Sequence, residues 1–468
     1  MGTIVPKMGI TLPPKHTDPL FSGTKRKVLS LFYLNPETFK SAPLFLLSTD
    51  CPENDYVSQT ITHRLYDANV ATKVAQFILL GVGGAKLIDE LGFRPDVYHL
   101  NEAHGVSSAF YLLNKFKSVE KVKEHLVFTT HTPEEAGNEK HDINILNHLS
   151  FFAGLPLDDV RKITGIEGDV FNHSLAALRL SHKANGVSKL HGEVSRDMWA
   201  GYENICEIDH VTNAQNKKYW ADAFLEKARI SGNEDELVAR KKRLKQKFFE
   251  VVADQTGKLF KTDVLTIVWA RRFAEYKRPD LVTRDIERFK KIAENEKFPV
   301  QFVFAGKPYP MDYGAINTFN SLAYLSRSFD NMAVLTGYEL KLSRQLKEGS
   351  DVWLNTPRVT REASGTSGMS AAMNGSINLS TNDGWICEFY DNGVNSFVLP
   401  TVDHHLPTYE QDAKDLDNLL TLLENVVVPM YYKKRKDWNK IMIESMNTVV
   451  PFFDSARMVD EYYEKMYS

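Results

Sequence analysis

The sequence predicts an α/β protein of two lobes, each built on a parallel sheet, with a cleft between them. Apolar runs of strand length alternate with amphipathic stretches of helix length through both halves of the 468 residues. The runs are continuous in Val, Ile, Leu and Phe, as in strands that helices cover on both faces. Ligands bind such folds where loops follow the carboxyl ends of strands, so functional residues are expected there.

The predicted elements follow this alternation along the chain. In the first half, strands are predicted at residues 28–34, 43–47, 96–100, 126–130 and 210–213, with helices at 71–91, 104–116 and 171–182. In the second half, strands are predicted at residues 264–269, 300–305, 332–335, 351–354 and 377–379, with a short Ala-rich helix at 369–373. The chain is again helical from Asn418 onward.

A charged, strongly helical section at residues 219–249 separates the two halves. The predicted division is an amino-terminal lobe of residues 1–215, a helical connection of residues 216–262, and a carboxyl-terminal lobe of residues 263–468. No internal repeat or low-complexity tract is evident in the sequence.

Composition excludes several classes of protein. The 57 Lys and Arg residues nearly balance the 60 Asp and Glu residues, which does not favour a nucleic-acid binder. Three distant cysteines (Cys51, Cys206 and Cys387) provide neither a disulfide framework nor a zinc knuckle. No apolar run approaches the roughly 18 residues of a spanning helix, and residues 1–27 lack the apolar core of a signal peptide. A cytoplasmic protein without membrane contact is therefore expected.

The glycine-rich segment at residues 81–86 does not fit a dinucleotide-binding fingerprint. Its third glycine position is Lys86, and it follows a helical pattern instead of a strand. We expect these glycines to serve packing or a helix end.

Polar residues follow two predicted strands of the first lobe. The segment ending at His104 follows strand 96–100, and His131 follows strand 126–130. Two histidines at successive strand ends would lie on one rim of a sheet, where a structural and a functional role are equally open. Their spacing does not fit a metal site.

The strongest local signal lies in the second half. Strand 264–269 leads into a turn with four cations, Arg271, Arg272, Lys277 and Arg278, which would concentrate positive potential suited to a phosphate dianion. By itself, this turn is more typical of a solvated salt-bridged surface than of a phosphate site.

A second segment, residues 362–370, would complement that turn. Gly365 and Gly368 allow close backbone approach, and the following helix would offer unpaired N–H groups to an anion. Glu362 would repel an anion unless it faces another group, such as sugar hydroxyls.

Together these segments resemble the α-glucan (glycogen, maltodextrin) phosphorylases, most closely their shorter bacterial and archaeal type. The resemblance extends in order from about Pro43 to the carboxyl terminus. The matching stretches are ILLGVGGAKLIDELG, DVYHLNEAHG, VFTTHTPEEAG, LSHKANGVSKLHGEVSRDMW, HVTNAQNKKYW, ARRFAEYKRPDL, FAGKPYPMD and DVWLNTPRVTREASGTSGMSAAMNGSINLSTNDGW.

The resemblance implies a GT-B glycosyltransferase fold with two Rossmann-like lobes, glucan on the amino-terminal side and phosphate on the carboxyl-terminal side. It implies reversible phosphorolysis of α-1,4-glucans to glucose 1-phosphate with retention of configuration. The partners would be α-glucan and inorganic phosphate or glucose 1-phosphate, and a homo-oligomer is one assembly that the chain could form.

The resemblance also assigns residues by motif position. The phosphate groups would be held by Arg271, Arg272, Lys277, Thr366, Ser367 and the N–H groups around Gly368. The sugar would be bound by Glu362, Ser364, Gly365, Tyr276, His104 and, at its 6-hydroxyl, Asn213. His131 would donate a hydrogen bond near the reacting sugar.

One departure affects the cofactor that the resemblance implies. Members of the family hold pyridoxal phosphate as a Schiff base on a lysine, and Ser370 stands at that position here. A hydroxyl cannot form an imine, so covalent attachment at this residue is excluded. Pyridoxal phosphate would then bind without a covalent bond, held by Lys277, Thr366 and Ser367, or another anion would take its place.

Three functions remain open from the sequence. The first is an α-glucan phosphorylase with an altered or absent pyridoxal site. The second is a retaining hexosyltransferase that uses a nucleotide-sugar or sugar-phosphate donor. The third is a non-catalytic glucan-binding relative, which the four polar residues Arg272, Lys277, Glu362 and Thr366 disfavour.

Overall fold

A computed structural model describes the backbone of residues 4–12, 26–33, 43–65 and 67–468, and the side chains from residue 43 onward except residues 66 and 136. The predicted lack of a signal peptide concerns residues 1–27, of which 1–3 and 13–25 lie outside the described residues. Two compact units are present. The first comprises Met1–Asn185, Trp199–Asp209 and Tyr467, and the second comprises Gly186–Met198, His210–Met466 and Ser468. The three-part division inferred from the sequence stays a prediction.

The first sheet corrects the sequence analysis. Its strands β1 (Ile4–Leu12), β2 (Arg26–Tyr33) and β3 (Pro43–Ser48) are antiparallel, whereas strands 28–34 and 43–47 were expected in a parallel sheet. Leu44 and Leu46 are 53% and 44% exposed, so β3 is not covered on both faces. An uninterrupted apolar run therefore does not distinguish a buried parallel strand from an antiparallel strand with one open face.

A parallel sheet forms the centre of the first unit. It contains β4 (Tyr98–Asn101), β5 (Leu126–Thr129), β8 (Lys183–Gly186) and β9 (Glu207–His210) in that order, and a small antiparallel pair, β6 (Lys140–Asp142) and β7 (Val170–Asn172), lies apart from it. The predicted strands 96–100 and 126–130 are present, with shifted bounds. Strand β9 begins and ends earlier than the predicted 210–213, and β8 was missed because Lys183 and Asn185 interrupt its apolar pattern.

A six-stranded parallel sheet forms the centre of the second unit, in the order β12-β11-β10-β13-β14-β15. Its strands are β10 (Leu265–Ala270), β11 (Val300–Ala305), β12 (Met332–Leu335), β13 (Val352–Asn355), β14 (Ile377–Ser380) and β15 (Phe397–Val398). The sequence predicts all of these strands except the two-residue β15. The residues of β10, β11 and β13 are fully buried, as expected of strands covered on both faces.

The strand order reverses between β10 and β13, which lie side by side although β11 and β12 separate them in the sequence. Loops that leave the carboxyl ends of strands on either side of such a reversal diverge and leave a crevice. Arg271 follows β10 and Asn355 ends β13, so the cationic turn lies at this position.

The described residues form α-helices throughout the chain. They are α1 (Tyr56–Thr60), α2 (Val70–Ile78), α3 (Gly84–Glu90), α4 (Ser107–Phe116), α5 (Val119–His125), α6 (Ile143–His148), α7 (Leu157–Thr164), α8 (His173–Leu180), α9 (Lys189–Trp199), α10 (Lys217–Trp220), α11 (Ala223–Ile230), α12 (Glu234–Thr256), α13 (Ile286–Ala293), α14 (Tyr313–Leu325), α15 (Leu340–Gly349), α16 (Ser367–Ala372), α17 (Thr408–Leu422), α18 (Val428–Lys433), α19 (Arg435–Phe452) and α20 (Ser455–Glu461).

Helix α12 shows why a very polar sequence forms a long helix here. Three acidic residues occupy its first turn, where they interact favourably with the helix dipole, and Gly257 ends it in the left-handed conformation at φ 72°. Phe248 and Phe249 form its apolar stripe and belong to the same core cluster as Val268. The charged section predicted as a connection is thus partly buried within the second unit.

One helical stretch, Val70–Glu90, is long and apolar enough by length and composition to cross a membrane, and 56% of its most apolar window is buried within the protein. The sequence analysis expected no such stretch, since it looked for an uninterrupted apolar run, and Lys73 and Lys86 interrupt this one. A helix in the core of a protein can have the same length and apolar composition, and Gly81 packs closely against its neighbours, as in such a helix. A Cβ at this position would lie 2.1 Å from Ser107 Oγ and 2.6 Å from the Gly105 carbonyl oxygen.

Gly81 and Gly84 form a matched pair for testing this packing. Gly81→Ala should lower the free energy of unfolding by about 1–3 kcal/mol because α4 must shift to admit the methyl group. Gly84→Ala should raise it by about 0.5–1 kcal/mol, since nothing lies within 4 Å of its added Cβ and alanine favours a helix. Urea denaturation measures both changes, and equal effects of the two substitutions would contradict the close approach of α4.

Candidate active site

The site begins at Arg271, which leaves β10 and turns toward the end of β13. Its guanidinium donates to Asn355 Oδ1, to Ser367 Oγ at 3.1 Å and to Glu362 Oε2 at 3.0 Å. Arg271 is only 6% exposed, and its Nε has no acceptor in the described part of the chain although it is buried. Arg271 therefore joins the turn after β10 to the loop before α16 and keeps one donor unused.

Lys277 completes the contact with Glu362. Its Nζ lies 2.5 Å from the same Oε2 atom that accepts from Arg271, and 4.8 Å from the centre of the Tyr276 ring. Burial opposes ionisation of Glu362, but the charges of Lys277 and Arg271 outweigh it and hold its pKa below the usual value. The sequence analysis assigned the cations to phosphate and the carboxylate to sugar, and here they bind each other.

Arg272 differs from Arg271 in its surroundings. It is exposed and forms no ion pair with any described residue, yet its charge helps to lower the pKa of Glu362. A guanidinium without a carboxylate beside this cluster is available to an incoming anion.

Arg278, the fourth cation of the turn, has a structural role. It is fully buried and donates to the carbonyl oxygens of Thr356 and Pro357 and to the carboxylates of Asp412 and Asp415, at 2.7–2.9 Å. These contacts fix the turn against the β13 loop and α17. The pattern of four cations thus separates into a buried anchor and three residues around Glu362.

The loop from Glu362 to Ser367 presents polar groups to the same region. Gly365 adopts φ +84°, which glycine tolerates best, and the Ser364 hydroxyl is buried without a partner among the described residues. The N–H groups of Thr366 and Ser367 have no acceptor within this described region, in contrast to Gly368, which donates to the Gly365 carbonyl oxygen at 3.1 Å. Two backbone donors beside Arg271 make an electropositive cradle.

Sequence reasoning missed Asp383, which holds this loop. Its two carboxylate oxygens accept from the N–H groups of Glu362 at 2.8 Å and Gly384 at 2.9 Å. Burial raises its pKa to about 8, the bonds to those N–H groups oppose the rise, and the Glu362 charge adds to it. The available signal was the Asp-Gly pair that follows β14, since this strand neighbours β13 in the sheet.

Asn213 also lies in the second unit. Its backbone N–H donates to the Val187 carbonyl oxygen at 2.9 Å, and the neighbouring Thr212 hydroxyl donates to Glu388 at 2.7 Å. No contact with the cluster around Glu362 is described for Asn213, so its role toward a sugar stays a prediction.

The histidines of the first unit occupy a separate polar group. The His131 backbone N–H donates to Glu102 Oε2 at 2.9 Å, and the His131 ring Nε2 lies 2.8 Å from Asn101 Oδ1. Burial lowers the pKa of His131, although the Glu102 charge opposes this. Glu102, which the sequence analysis passed over, has φ +69°, an unusual conformation for a side-chain-bearing residue. His104 packs against Phe77, with ring centres 4.9 Å apart, and the functional roles of both histidines stay predictions.

Comparisons with known proteins agree with the motifs. A family model described as carbohydrate phosphorylase matches residues 222–399. The chain is 44% identical to an uncharacterized protein of Methanocaldococcus jannaschii, over 93% of this chain and 81% of that protein. It is 36% identical to the maltodextrin phosphorylase of Thermococcus litoralis, over 91% and 57%, and 30% identical to the glycogen phosphorylase of Aquifex aeolicus, over 91% and 70%. The chain thus spans little more than half of the Thermococcus protein.

The pyridoxal phosphate that the resemblance implies can be tested against these residues. The unused Arg271 Nε, Arg272 and the free N–H groups of Thr366 and Ser367 fit a phosphate group. Ser370 is fully buried, and its hydroxyl lies 3.2 Å from the Ser367 carbonyl oxygen. The phosphate end of the cofactor fits this loop, whereas residue 370 offers no amine to its aldehyde.

Asp383→Ala tests the support of the loop. It leaves the N–H groups of Glu362 and Gly384 buried without an acceptor, at about 1–3 kcal/mol of unfolding free energy each. The folded-state pKa of Asp383 is about 8 against an ordinary value of 3.8, so the wild type loses stability as pH rises between these values. The cost of the substitution should therefore be larger at pH 5 than at pH 8, as measured by urea denaturation.

Asp391→Ala is the matched control, because Asp391 is an exposed aspartate of a nearby loop. We expect a change within about 0.5 kcal/mol at either pH. A similar loss for both variants, or a loss at Asp383 that does not depend on pH, would contradict the assigned role.

Proposed function

Because the chain belongs to the carbohydrate phosphorylase family, we propose that it catalyses the reversible phosphorolysis of α-1,4-glucan ends to glucose 1-phosphate with retention of configuration. The substrates are a glycogen- or maltodextrin-type glucan and inorganic phosphate. The reaction transfers a glucosyl group from a sugar oxygen to a phosphate oxygen.

One observation carries the proposal: a single buried carboxylate, Glu362, pairs with both Arg271 and Lys277, beside two backbone N–H groups that have no acceptor among the described residues. Glu362 therefore binds the two cations that an incoming phosphate would need. Phosphate is a dianion with several acceptor oxygens, so it competes effectively for Arg271 and Lys277 and adds the exposed Arg272. Its arrival releases Glu362.

The released Glu362 then accepts hydrogen bonds from sugar hydroxyls, together with the unpartnered Ser364 hydroxyl. This exchange couples the two substrates, because the carboxylate leaves the cations only when phosphate replaces it. Sugar binding then positions the anomeric carbon against the phosphate, which lowers the entropic cost of the reaction. Asp383 keeps the Glu362 backbone in place during the exchange.

In the transition state, positive charge develops on the glucosyl ring while the phosphate oxygens carry negative charge. Arg271, Arg272 and Lys277 stabilise the phosphate oxygens. The released Glu362 is engaged by sugar hydroxyls, which gives it a binding role and not that of a nucleophile. Attack and departure on the same face of the sugar would then produce retention.

Ser370 supports a second candidate, a retaining hexosyltransferase with a nucleotide-sugar or sugar-phosphate donor. Such an enzyme needs the same phosphate-binding residues but no amine at position 370. The two candidates differ in the donor that turns over, which the assay below separates.

Purified protein with maltodextrin and inorganic phosphate should release glucose 1-phosphate, measured by a coupled enzymatic assay with and without added pyridoxal phosphate. Arg272→Ala should lower turnover by about 100- to 1,000-fold, since it removes one fixed charge from the phosphate. Arg327→Ala changes an exposed arginine elsewhere in the second unit and should leave turnover unchanged. Turnover of a nucleotide sugar alone would favour the second candidate, and an unchanged rate in Arg272→Ala would remove this residue from the site.

Glu362→Gln tests the competition between carboxylate and phosphate. Removing the negative charge should tighten binding of inorganic phosphate by about tenfold, the size of one charge-assisted hydrogen bond, while glucan turnover falls. Isothermal titration calorimetry measures the phosphate affinity. Glu339→Gln, which changes an exposed glutamate paired with Lys307, should alter neither property. Weaker phosphate binding in Glu362→Gln would refute the competition.

A further inference from the structure

Besides Lys277 of the candidate site, three lysines described in the second unit are almost fully buried: Lys241, Lys245 and Lys347, at 6%, 2% and 4% exposure. Two of them have clear structural partners. The Lys241 ammonium donates to the carbonyl oxygens of Glu348 and Asn374 and to the Ser376 hydroxyl, at 2.7–2.9 Å. The Lys245 ammonium donates to Asp351 and to a carbonyl oxygen.

Lys347 has no such partners. Among the described residues, its Nζ contacts neither a carboxylate nor a hydrogen-bond acceptor, and it lies 3.6 Å from the centre of the Trp220 ring. A buried lysine without an acceptor is unfavourable for folding, and a cation–π contact offsets only part of the cost. The fold thus retains an amine, on a largely buried side chain, that has no hydrogen-bond acceptor among the described residues.

Lys347 lies beside the segment in which Ser370 replaces the expected lysine. Its carbonyl oxygen accepts from the Ser376 hydroxyl at 2.6 Å, and the Ser376 N–H donates to the carbonyl oxygen of Ala371, the neighbour of Ser370. These bonds attach the end of α15 to the end of α16.

The aromatic ring under Lys347 is attached to the same segment. The Asn374 side-chain amide nitrogen donates both to the Trp220 carbonyl oxygen at 2.9 Å and to the Ser370 carbonyl oxygen at 2.8 Å. One side chain thus links the backbone of Trp220, whose ring contacts the Lys347 ammonium, to that of Ser370, and Ser367 in the same helix accepts from Arg271.

The electrostatics suit a nucleophilic amine. Burial, followed by the charges of Arg271 and Arg344, lowers the pKa of Lys347 to about 7. A large fraction of this amine is then neutral near pH 7, whereas an ordinary lysine is almost entirely protonated. The charge of Arg271 acts on this amine, so Lys347 shares the electrostatic environment of the cationic turn.

We propose that Lys347 supplies the amine missing at position 370 and binds the aldehyde of pyridoxal phosphate as an imine. The neutral Nζ attacks the aldehyde carbon, a C=N bond replaces the C=O bond, and the aldehyde oxygen leaves as water, with no oxidation or reduction. The phosphate group of the cofactor would take the Arg271 Nε and the N–H groups of Thr366 and Ser367, and the Trp220 ring would contact the pyridine ring. The remaining donors of Arg271, with Arg272 and Lys277, are then left for the substrate phosphate. The inference rests on the family membership used for the proposed function, but its test does not depend on turnover.

The experiment uses the full chain, pyridoxal 5′-phosphate and borohydride reduction, followed by proteolysis and mass spectrometry. We expect the reduced pyridoxyl group on the peptide that contains Lys347, preceded by the yellow absorbance of an imine in the unreduced protein. Lys347→Met should lower the label by at least tenfold, whereas Lys341→Met, at an exposed lysine of the same helix, should not. Circular dichroism verifies that each variant is folded.

If the wild-type protein carries no label, or carries it on several exposed lysines, the proposal is overturned whatever the variants show. Ser370→Lys in the Lys347→Met background provides a second measurement. Label at residue 370 would support one shared region, and a double variant that labels no more than Lys347→Met would contradict it. A chain labelled at Lys347 that releases no glucose 1-phosphate would retain this inference and lose the proposed reaction.

Discussion

The candidate site depends on one interaction, the shared contact of Arg271 and Lys277 with Glu362. Two cations and a carboxylate are buried together, and each would be strongly unfavourable without the others. The contact holds the turn after β10 against the loop before α16. It also engages both cations until a stronger anion arrives, so the same ion pairs that stabilise the fold set the condition for binding.

The six-stranded sheet determines why these residues meet. Neighbouring strands β10 and β13 send their loops in different directions, and Arg271 and Asn355 lie at the two carboxyl ends. Arg278 fixes the turn after β10, and Asp383 fixes the loop before α16, each through buried hydrogen bonds. The arginines of the turn after β10 therefore differ in role: Arg278 anchors the fold, whereas Arg272 remains exposed.

Much of the second unit could be predicted from the sequence, because buried parallel strands leave uninterrupted apolar runs such as 300–305. The direction of β2 and β3 could not, since an apolar run does not indicate its pairing partner. The residues of the site were predictable from motif positions, but the contact of Glu362 with Lys277 was not, because sequence does not reveal whether opposite charges face each other or a ligand. Lys347 and Asp383 were missed because their significance comes from burial and neighbours alone.

The most direct test of this account is a crystal structure of the protein with inorganic phosphate. We expect a phosphate bound by Arg271, Arg272 and Lys277 near the N–H groups of Thr366 and Ser367, with the Glu362 carboxylate moved away from Lys277. A phosphate bound elsewhere, with Glu362 still in contact with both cations, would contradict the claim that this carboxylate holds the place of the substrate anion.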